Sequence, residues 1–258
     1  MCRMLLASKN AITSYDKAYG LRALLKHLED ECGGDGIGYV IVKDGLIQTY
    51  FRSCSKDRIA KATKALLRRN YDYALFHTRL ASLGSVSVAN CHPFVSDTRT
   101  AMAMNGTIAS LALLSQATEK TDTELLFNTV SKMSISNTIT TLRKLAPAFI
   151  GICEGRPYLV KNLGDMVEWT YENLDKHNDF FFVSSLPSHA DDGKLFLPDS
   201  FTWIDGTSLP YDNDAPTPIC DSYGMGLIRY NDAYDEGYLD GYTTALAGKP
   251  FYEGIDCA

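Results

Sequence analysis

The chain begins MCRMLLAS (residues 1–8), a cysteine at the second position followed at once by an apolar segment typical of a β-strand. Removal of Met1 would leave Cys2 with a thiol and a free α-amine, whose ordinary pKa values are about 8.5 and about 7.7–8.0. The amine can then take the thiol proton near neutral pH, so that one residue supplies both a nucleophile and its base. A retained Met1 would block this amine. The simpler alternative is that Cys2 only packs as a small apolar residue at the start of the strand.

Outward from this segment, strand-like and helical patterns alternate. Period-two or continuous apolar runs predict strands over residues 3–8, 38–42, 46–52, 73–78, 100–104, 149–154, 158–161 and 179–184. Helical spacing predicts helices over residues 14–31, 56–69, 121–132 and 137–145. Asp44-Gly45 is a strong hairpin signal, and Gly155 marks a second hairpin. Antiparallel hairpins between helix pairs favour an α+β fold, in which two stacked antiparallel sheets are covered by helices.

Charge is distributed unevenly along the 258 residues, which carry a net charge of −6. Residues 189–258 contain 13 acidic and 3 basic residues, whereas the preceding part contains 18 acidic and 22 basic ones. The C-terminal part is also rich in tyrosine and proline. We therefore predict one domain over residues 2–188 and an acidic C-terminal extension over residues 189–258, with the boundary near residues 186–192.

Composition excludes several classes of protein. An acidic chain does not favour nucleic-acid binding, which needs Lys and Arg for phosphate contacts. No apolar run approaches the length of a membrane span or of a secretory signal. The seven cysteines are odd in number and scattered, without a C-x-x-C pair or zinc spacing. We expect a cytoplasmic protein with no disulfide framework, no metal and no cofactor.

Four motifs follow Cys2 in the chain. They are GDGIG at 34–38, HTRLASLG at 77–84 with NCHPF at 90–94, MNGTI at 104–108, and TDTE at 121–124. In this order and behind an N-terminal cysteine, they resemble the class II glutamine amidotransferases, whose glutaminase domain is an N-terminal nucleophile hydrolase. The resemblance covers about residues 2–185 and implies the four-layer αββα sandwich of that fold.

The resemblance also implies roles for individual residues. Cys2 would attack the side-chain amide of L-glutamine and form a thioester. Asn105 and Gly106 would form the oxyanion hole through a side-chain amide and a backbone N–H. Arg79 would bind the substrate α-carboxylate with its planar fork, and Asp122 would bind the α-ammonium group.

The resemblance places Leu80 and Ser82 in the substrate site. Many members of the family have Trp where this chain has Leu80, and His where it has Leu83 and Met104. The wall of the pocket should therefore be more apolar here. Because the α-amine already serves as the base, His77 and His92 are interpreted as structural or site-lining.

Each motif also has a plain structural interpretation. Arg79 could pair with a carboxylate in the core. Asp122 could be a helix N-cap, and Asn105-Gly106 could be a hairpin turn. The joint occurrence of these motifs with Cys2 favours the catalytic interpretation.

No ammonia-accepting domain can be recognised in the sequence. The favoured function is a stand-alone glutaminase that delivers ammonia to a separate synthase or ligase. One alternative is a γ-glutamyl hydrolase acting on a peptide or thiol conjugate, and another is a catalytically silent binding or assembly module. The partners expected are glutamine and that acceptor enzyme, with a homo-oligomer left open.

The C-terminal extension contains tyrosines at helical spacing, Tyr230, Tyr234, Tyr238 and Tyr242. They predict a short helix that packs its tyrosines on the catalytic body, or that forms a docking surface for the synthase or for a second copy of the chain.

Overall fold

A computed structural model of the chain describes residues 2–171, 174–175, 178–190 and 193–209. The helices are α1 Lys9–Tyr19, α2 Leu21–Cys32, α3 Arg58–Arg68, α4 Ala112–Thr118, α5 Asp122–Val130 and α6 Ile135–Leu142. The strands are β1 Arg3–Ser8, β2 Gly36–Lys43, β3 Leu46–Ser53, β4 Tyr73–Arg79, β5 Phe94–Asp97, β6 Thr100–Asn105, β7 Ala148–Cys153, β8 Arg156–Lys161, β9 Val167–Trp169, β10 Phe181–Val183, β11 Lys194–Phe196, β12 Phe201–Ile204 and β13 Thr207–Leu209.

The strands form two antiparallel sheets. The first sheet has the order β11-β9-β10-β1-β4-β2-β3, so that β1 lies in its centre between β10 and β4. The second sheet has the order β13-β12-β8-β7-β6-β5. Both sheets are antiparallel throughout their paired strands, as the hairpin signals predict.

Three apolar layers hold the sheets and helices together. Apolar side chains of β1, β2, β4, β6, β7 and β8 form the layer between the two sheets. Helices α1, α2 and α3 cover the outer face of the first sheet, and α5 and α6 cover that of the second. The four-layer αββα sandwich predicted from the sequence is therefore confirmed.

The helical region predicted over residues 14–31 is divided into α1 and α2. Gly20 separates them with a φ of +83°, which L side chains rarely adopt, and its N–H donates to the carbonyl of Asp16. Ser8 caps α1 by accepting from the Ala11 N–H. The sequence prediction missed this break, together with α4, β5, β9 and the three short strands after residue 193.

Residues 194–209 take part in both sheets. Strand β11 pairs with β9, and β12 pairs with β8 and β13. Trp203 packs against Phe180 and Phe182, and Lys161 forms an ion pair with Asp199. These contacts lie on the C-terminal side of the predicted domain boundary.

The tyrosine pattern of residues 230–242 lies outside the described residues. Within the described ranges, none of the helices has both the length and the apolar character needed to cross a membrane.

Candidate active site

The pairing of β1 with β4 places Cys2 beside Arg79. Arg3 lies opposite Thr78 in this antiparallel register, and Met4 lies opposite His77. Since side chains alternate between the two faces of a strand, Cys2 shares the face of Met4, which is buried between the two sheets. Strand β4 turns His77 and Arg79 toward the same face as Leu75. Strand β1 thus places the Cys2 thiol at one end of the apolar layer between the two sheets.

The Cys2 thiol is partly buried and donates to the backbone carbonyl of Leu80 at 3.5 Å. Burial raises the pKa of this thiol above its ordinary value. The hydrogen bond to Leu80 and the charge of Arg79 lower it, whereas the carboxylate of Asp122 raises it. The thiol is therefore protonated at neutral pH and needs a base before it can act as a nucleophile.

Arg79 is buried, yet it has no carboxylate partner among the residues described. Its guanidinium donates to three backbone carbonyls, those of Leu83, Gly84 and Ser85, at 2.9–3.3 Å. The interpretation of Arg79 as one half of a core ion pair is therefore not supported. A buried cation held only by carbonyls keeps its full charge available to an anion.

Asp122 is a buried carboxylate at the start of α5. Its oxygens accept from the N–H groups of Ile108 at 2.7 Å and Thr123 at 2.8 Å. Burial raises the pKa of Asp122, and these hydrogen bonds oppose that rise. The side-chain cap of α5 is Thr121, which accepts from the Glu124 N–H. Asp122 is therefore not the N-cap, and it has no cationic partner within the described part of the chain.

Asn105 is the last residue of β6, the second strand from one edge of the second sheet, and Gly106 follows it. Strand β6 continues into a short 3₁₀ helix and α4 instead of pairing with the next segment, so Asn105-Gly106 is not a hairpin turn. The Asn105 side-chain oxygen is buried and has no hydrogen-bond partner among the residues described. Gly106 has a φ of +130°, and a Cβ there would lie 2.9 Å from the Cβ of Pro147. The backbone turn after Asn105 therefore requires glycine.

A small cavity of about 30 Å³ adjoins this turn. Asn105, Gly106, Thr107 and Pro147 line it, together with Ala146, Leu163 and Gly164. Its size matches roughly one water molecule.

Two loops meet at the edge of the site. The exposed Ser82 hydroxyl contacts the Thr107 hydroxyl at 3.2 Å, which joins the loop after β4 to the loop after β6. Asp35 fixes the base of the first loop, because its carboxylate accepts from the Ala81 N–H at 2.7 Å and its N–H donates to the Arg79 carbonyl. Half-buried Leu80 lies between these anchors.

Comparison with solved structures finds this architecture in known enzymes. The glutamine phosphoribosylpyrophosphate amidotransferase from B. subtilis, complexed with ADP and GMP, superposes with a TM-score of 0.58 and 18% identity over 83% of this chain and 50% of that one. A structure described as the allosteric regulatory enzyme of purine biosynthesis superposes with a TM-score of 0.54 and 19% identity, over 79% of this chain and 46% of that one. This is the fold of the class II glutamine amidotransferases.

A glutamine aminotransferase class-II domain protein from Silicibacter pomeroyi also superposes, with a TM-score of 0.48 and 12% identity over 80% of this chain and 95% of that one. The chain spans about half the length of each of the first two proteins. Neither a protein-family model nor a curated protein sequence matches it. The N-terminal nucleophile hydrolase fold predicted from the motifs is confirmed.

A buried histidine pair lies next to the strand end that carries Asn105. His77 Nε2 lies 3.2 Å from the carbonyl of Met104 and 3.1 Å from His92 Nδ1. Burial lowers the pKa of His77 to about 3, and it lowers the pKa of His92 well below its ordinary value. Both rings are therefore neutral at physiological pH and contact the residue that precedes Asn105.

Two of these arrangements were missed by the sequence analysis. The hydrogen bonds by which Asp35 holds Ala81 and Arg79 could not be predicted, because the sequence marks this position only by the glycines around it. The sequence analysis interpreted His77 and His92 as structural or site-lining but missed their contact with each other. His77 stands two residues before Arg79 and therefore on the same strand face. Within the described ranges, no group of three or more His, Cys, Asp or Glu side chains is arranged to hold a metal ion.

The histidine pair predicts how stability depends on pH. His77 has a pKa of about 3 in the folded chain against an ordinary value of 6.5. The unfolded chain therefore binds more protons between these pH values, and folded-state stability should fall as the pH drops through this window, by about 1.4 kcal/mol per pH unit for one such histidine. Urea unfolding at a series of pH values should show this slope, and His77→Asn should reduce it. An imidazole NMR signal of His77 that titrates near pH 6.5 would contradict the prediction.

Proposed function

We propose that this chain is a glutaminase that hydrolyses the side-chain amide of glutamine through a thioester on Cys2, and that it delivers ammonia to a separate synthase or ligase. One observation carries the proposal. Arg79 and Asp122 are buried charges of opposite sign, each lacks an ionic partner within the described residues, and both are close enough to affect the pKa of the Cys2 thiol. An isolated buried charge is costly, so two of them around one nucleophile indicate a ligand that carries both complementary charges.

Free glutamine is such a ligand. Its α-carboxylate would pair with the guanidinium of Arg79, and its α-ammonium group with the carboxylate of Asp122. The ammonium group would also favour the ionised form of Asp122 against the effect of burial. With both ends held, the side-chain amide of the substrate would reach toward Cys2.

The base for this reaction is the α-amine that Cys2 would carry once Met1 is removed. Among the described residues, the thiol hydrogen-bonds to the Leu80 carbonyl, which cannot accept its proton as a base. His77 and His92 are neutral, but they are engaged with each other and with Met104. The amine, with an ordinary pKa near 8, can take the thiol proton directly or through a water and later give it to the departing ammonia.

Charge that develops on the amide oxygen would be stabilised by Asn105 and Gly106. The Asn105 side-chain NH₂ and the Gly106 N–H would donate to this oxygen in the tetrahedral intermediate. Asn105 ends strand β6 and Gly106 follows it directly, so that the two proposed donors belong to one turn of the chain. Collapse of the intermediate breaks the C–N bond and releases ammonia, and water then hydrolyses the thioester to glutamate.

The central experiment is incubation of the purified protein with glutamine, followed by measurement of glutamate and ammonia and of the N-terminal mass. Equal release of both products by protein that lacks Met1 is expected. Faster cleavage of a γ-glutamyl peptide than of glutamine would favour the γ-glutamyl hydrolase alternative. A protein that retains Met1 and turns over neither substrate would favour the silent binding module.

The nucleophile assignment predicts that Cys2→Ala abolishes glutamine hydrolysis and leaves the circular dichroism spectrum unchanged. A glutamine-like diazo-ketone should add one label to the N-terminal peptide, because the thiolate formed by the amine attacks its electrophilic carbon. Cys32→Ser is the matched control, since Cys32 is buried on α2, and it should retain activity and labelling. Labelling on Cys91 or Cys32 would overturn the assignment.

The recognition of glutamine predicts paired losses for Arg79→Gln and Asp122→Asn, each of which removes one charge. Each variant should lower kcat/KM by a factor that corresponds to a loss of about 2–5 kcal/mol in transition-state stabilisation, because a charge of the substrate is left without its buried partner. Glutaramate, which lacks the α-amine, separates the two residues: the wild type should strongly prefer glutamine over it, and Asp122→Asn should lose this preference. Unchanged preference in Asp122→Asn would show that this carboxylate serves only to accept from the N–H groups of Ile108 and Thr123.

The oxyanion assignment predicts a change in turnover and not in binding. Asn105→Ala should lower kcat by about 10²–10³-fold with little change in KM, because its amide donates to an oxygen that becomes charged only in the transition state. Single-turnover measurements of thioester formation should show the same loss. An increase in KM at constant kcat would contradict this role.

A further inference from the structure

Two free cysteines outside the proposed catalytic machinery lie in contact. Cys54 follows strand β3, and Cys91 follows the short 3₁₀ helix Val88–Asn90. Their sulfur atoms are 3.7 Å apart although the residues are 37 positions apart in the chain. This pairing is produced by the tertiary structure and has no signature in the sequence.

The backbone around the two sulfur atoms is shaped to fit them. A Cβ at Gly36 would lie 2.4 Å from the sulfur of Cys91 and 3.1 Å from that of Cys54, so that only glycine fits there. Cys54 donates to the Asp35 carbonyl at 3.3 Å, and Cys91 donates to the Ser87 carbonyl at 3.4 Å. The thiols are thus held side by side against the strand that carries Gly36.

The two thiols differ in accessibility. Cys54 is partly exposed, whereas Cys91 is fully buried. Burial and the neighbouring Cys54 raise the pKa of the Cys91 thiol. An oxidant from solvent therefore meets Cys54 first, with Cys91 directly behind it as a resolving thiol.

We propose that Cys54 and Cys91 are a reversible oxidation site, in which hydrogen peroxide converts the two thiols into a disulfide. The sulfur of Cys54 attacks the peroxide, so that an S–O bond forms, the O–O bond breaks, and water leaves with the thiol proton. The sulfur of Cys91 then attacks the sulfur of the resulting sulfenic acid. An S–S bond forms, the S–O bond breaks, and a second water leaves with the Cys91 proton, so that two thiols are oxidised by two electrons and one peroxide is reduced.

Disulfide formation would also act on the loop that surrounds the Cys2 thiol, and this consequence rests on the proposed function. The sulfur atoms must approach each other by about 1.7 Å to reach bonding distance. Asn90, the neighbour of Cys91, donates to the Ser85 carbonyl, which also accepts from Arg79. On the other side, Asp35 contacts the Cys54 thiol through its carbonyl and holds the Ala81 N–H through its carboxylate. The loop after β4, whose carbonyls accept from Arg79, is therefore connected to the thiol pair on both sides, through Asp35 and through Asn90.

The disulfide is tested by mass spectrometry on the full chain carrying Cys2→Ala, which removes the proposed nucleophile as a competing thiol. After peroxide treatment and tryptic digestion without reductant, the peptides of residues 53–56 and 80–99 should appear as one species lacking two hydrogens. Dithiothreitol should separate them again. Cys54→Ser and Cys91→Ser should each abolish the cross-linked species, whereas Cys32→Ser should retain it. Oxidation of other cysteines without this cross-link would overturn the proposal.

The effect on the site is tested by glutamine kinetics with and without peroxide. A displacement of about 1 Å at a positioning group can cost about 10²-fold in rate, so kcat/KM should fall by up to that factor in the wild type and recover with dithiothreitol. Cys54→Ser should not show this reversible loss. Direct oxidation of Cys2 would lower kcat/KM in Cys54→Ser as well, so this variant distinguishes the two causes. A cross-linked protein with unchanged kinetics would overturn the coupling to the loop. A reduced protein that does not hydrolyse glutamine would overturn the proposed function, whereas the peptide masses still decide the disulfide.

Discussion

The pairing of β1 with β4 is the constraint on which the site depends. In the observed register Arg3 lies opposite Thr78. This register brings Cys2 next to Arg79 on the face of the sheet that packs against the second sheet. A slip by one residue would turn every side chain of β1 to the opposite face. Met4 and Leu6 anchor the register because both are completely buried between the sheets. The packing that stabilises the sandwich therefore also fixes the direction of the Cys2 thiol.

Burial gives the groups around this thiol different electrostatic roles. Arg79 is the cation of this group, and its guanidinium is held by backbone carbonyls. His77 and His92 are at the same end of the layer, but burial keeps them neutral, so they can contact Met104 without adding positive charge near Arg79. Burial raises the pKa of Asp122, while two backbone N–H groups favour its ionised form. Together these effects leave one cation and one carboxylate around the thiol.

Glycine has a positional meaning at two places near the site. Gly106 lets the chain turn against Pro147 directly after Asn105. Gly36 lets β2 lie against the two sulfur atoms of Cys54 and Cys91. In both cases a single added carbon would have to displace neighbouring atoms, so the local sequence is set by a long-range contact.

The sequence by itself determined the type of fold and most of the site residues proposed here. Strand and helix patterns and hairpin signals depend on local periodicity, which short windows of the chain carry. The site residues came instead from the order of motifs behind Cys2 and from the family resemblance that this order carries. The break at Gly20 and the short strands β9, β11, β12 and β13 escaped because three or four residues carry too little pattern, and their pairing partners are distant in sequence.

Only the tertiary structure decided which side chains meet. That Arg79 is bound by carbonyls and not by a carboxylate, that Thr121 and not Asp122 caps α5, and that Asn105-Gly106 is not a hairpin turn all depend on contacts across the two sheets. The contact of Cys54 with Cys91 has the same origin. The physical reason is that hydrogen bonds, burial and charge pairing act over a few ångströms in space, whereas the residues concerned are many positions apart in the chain.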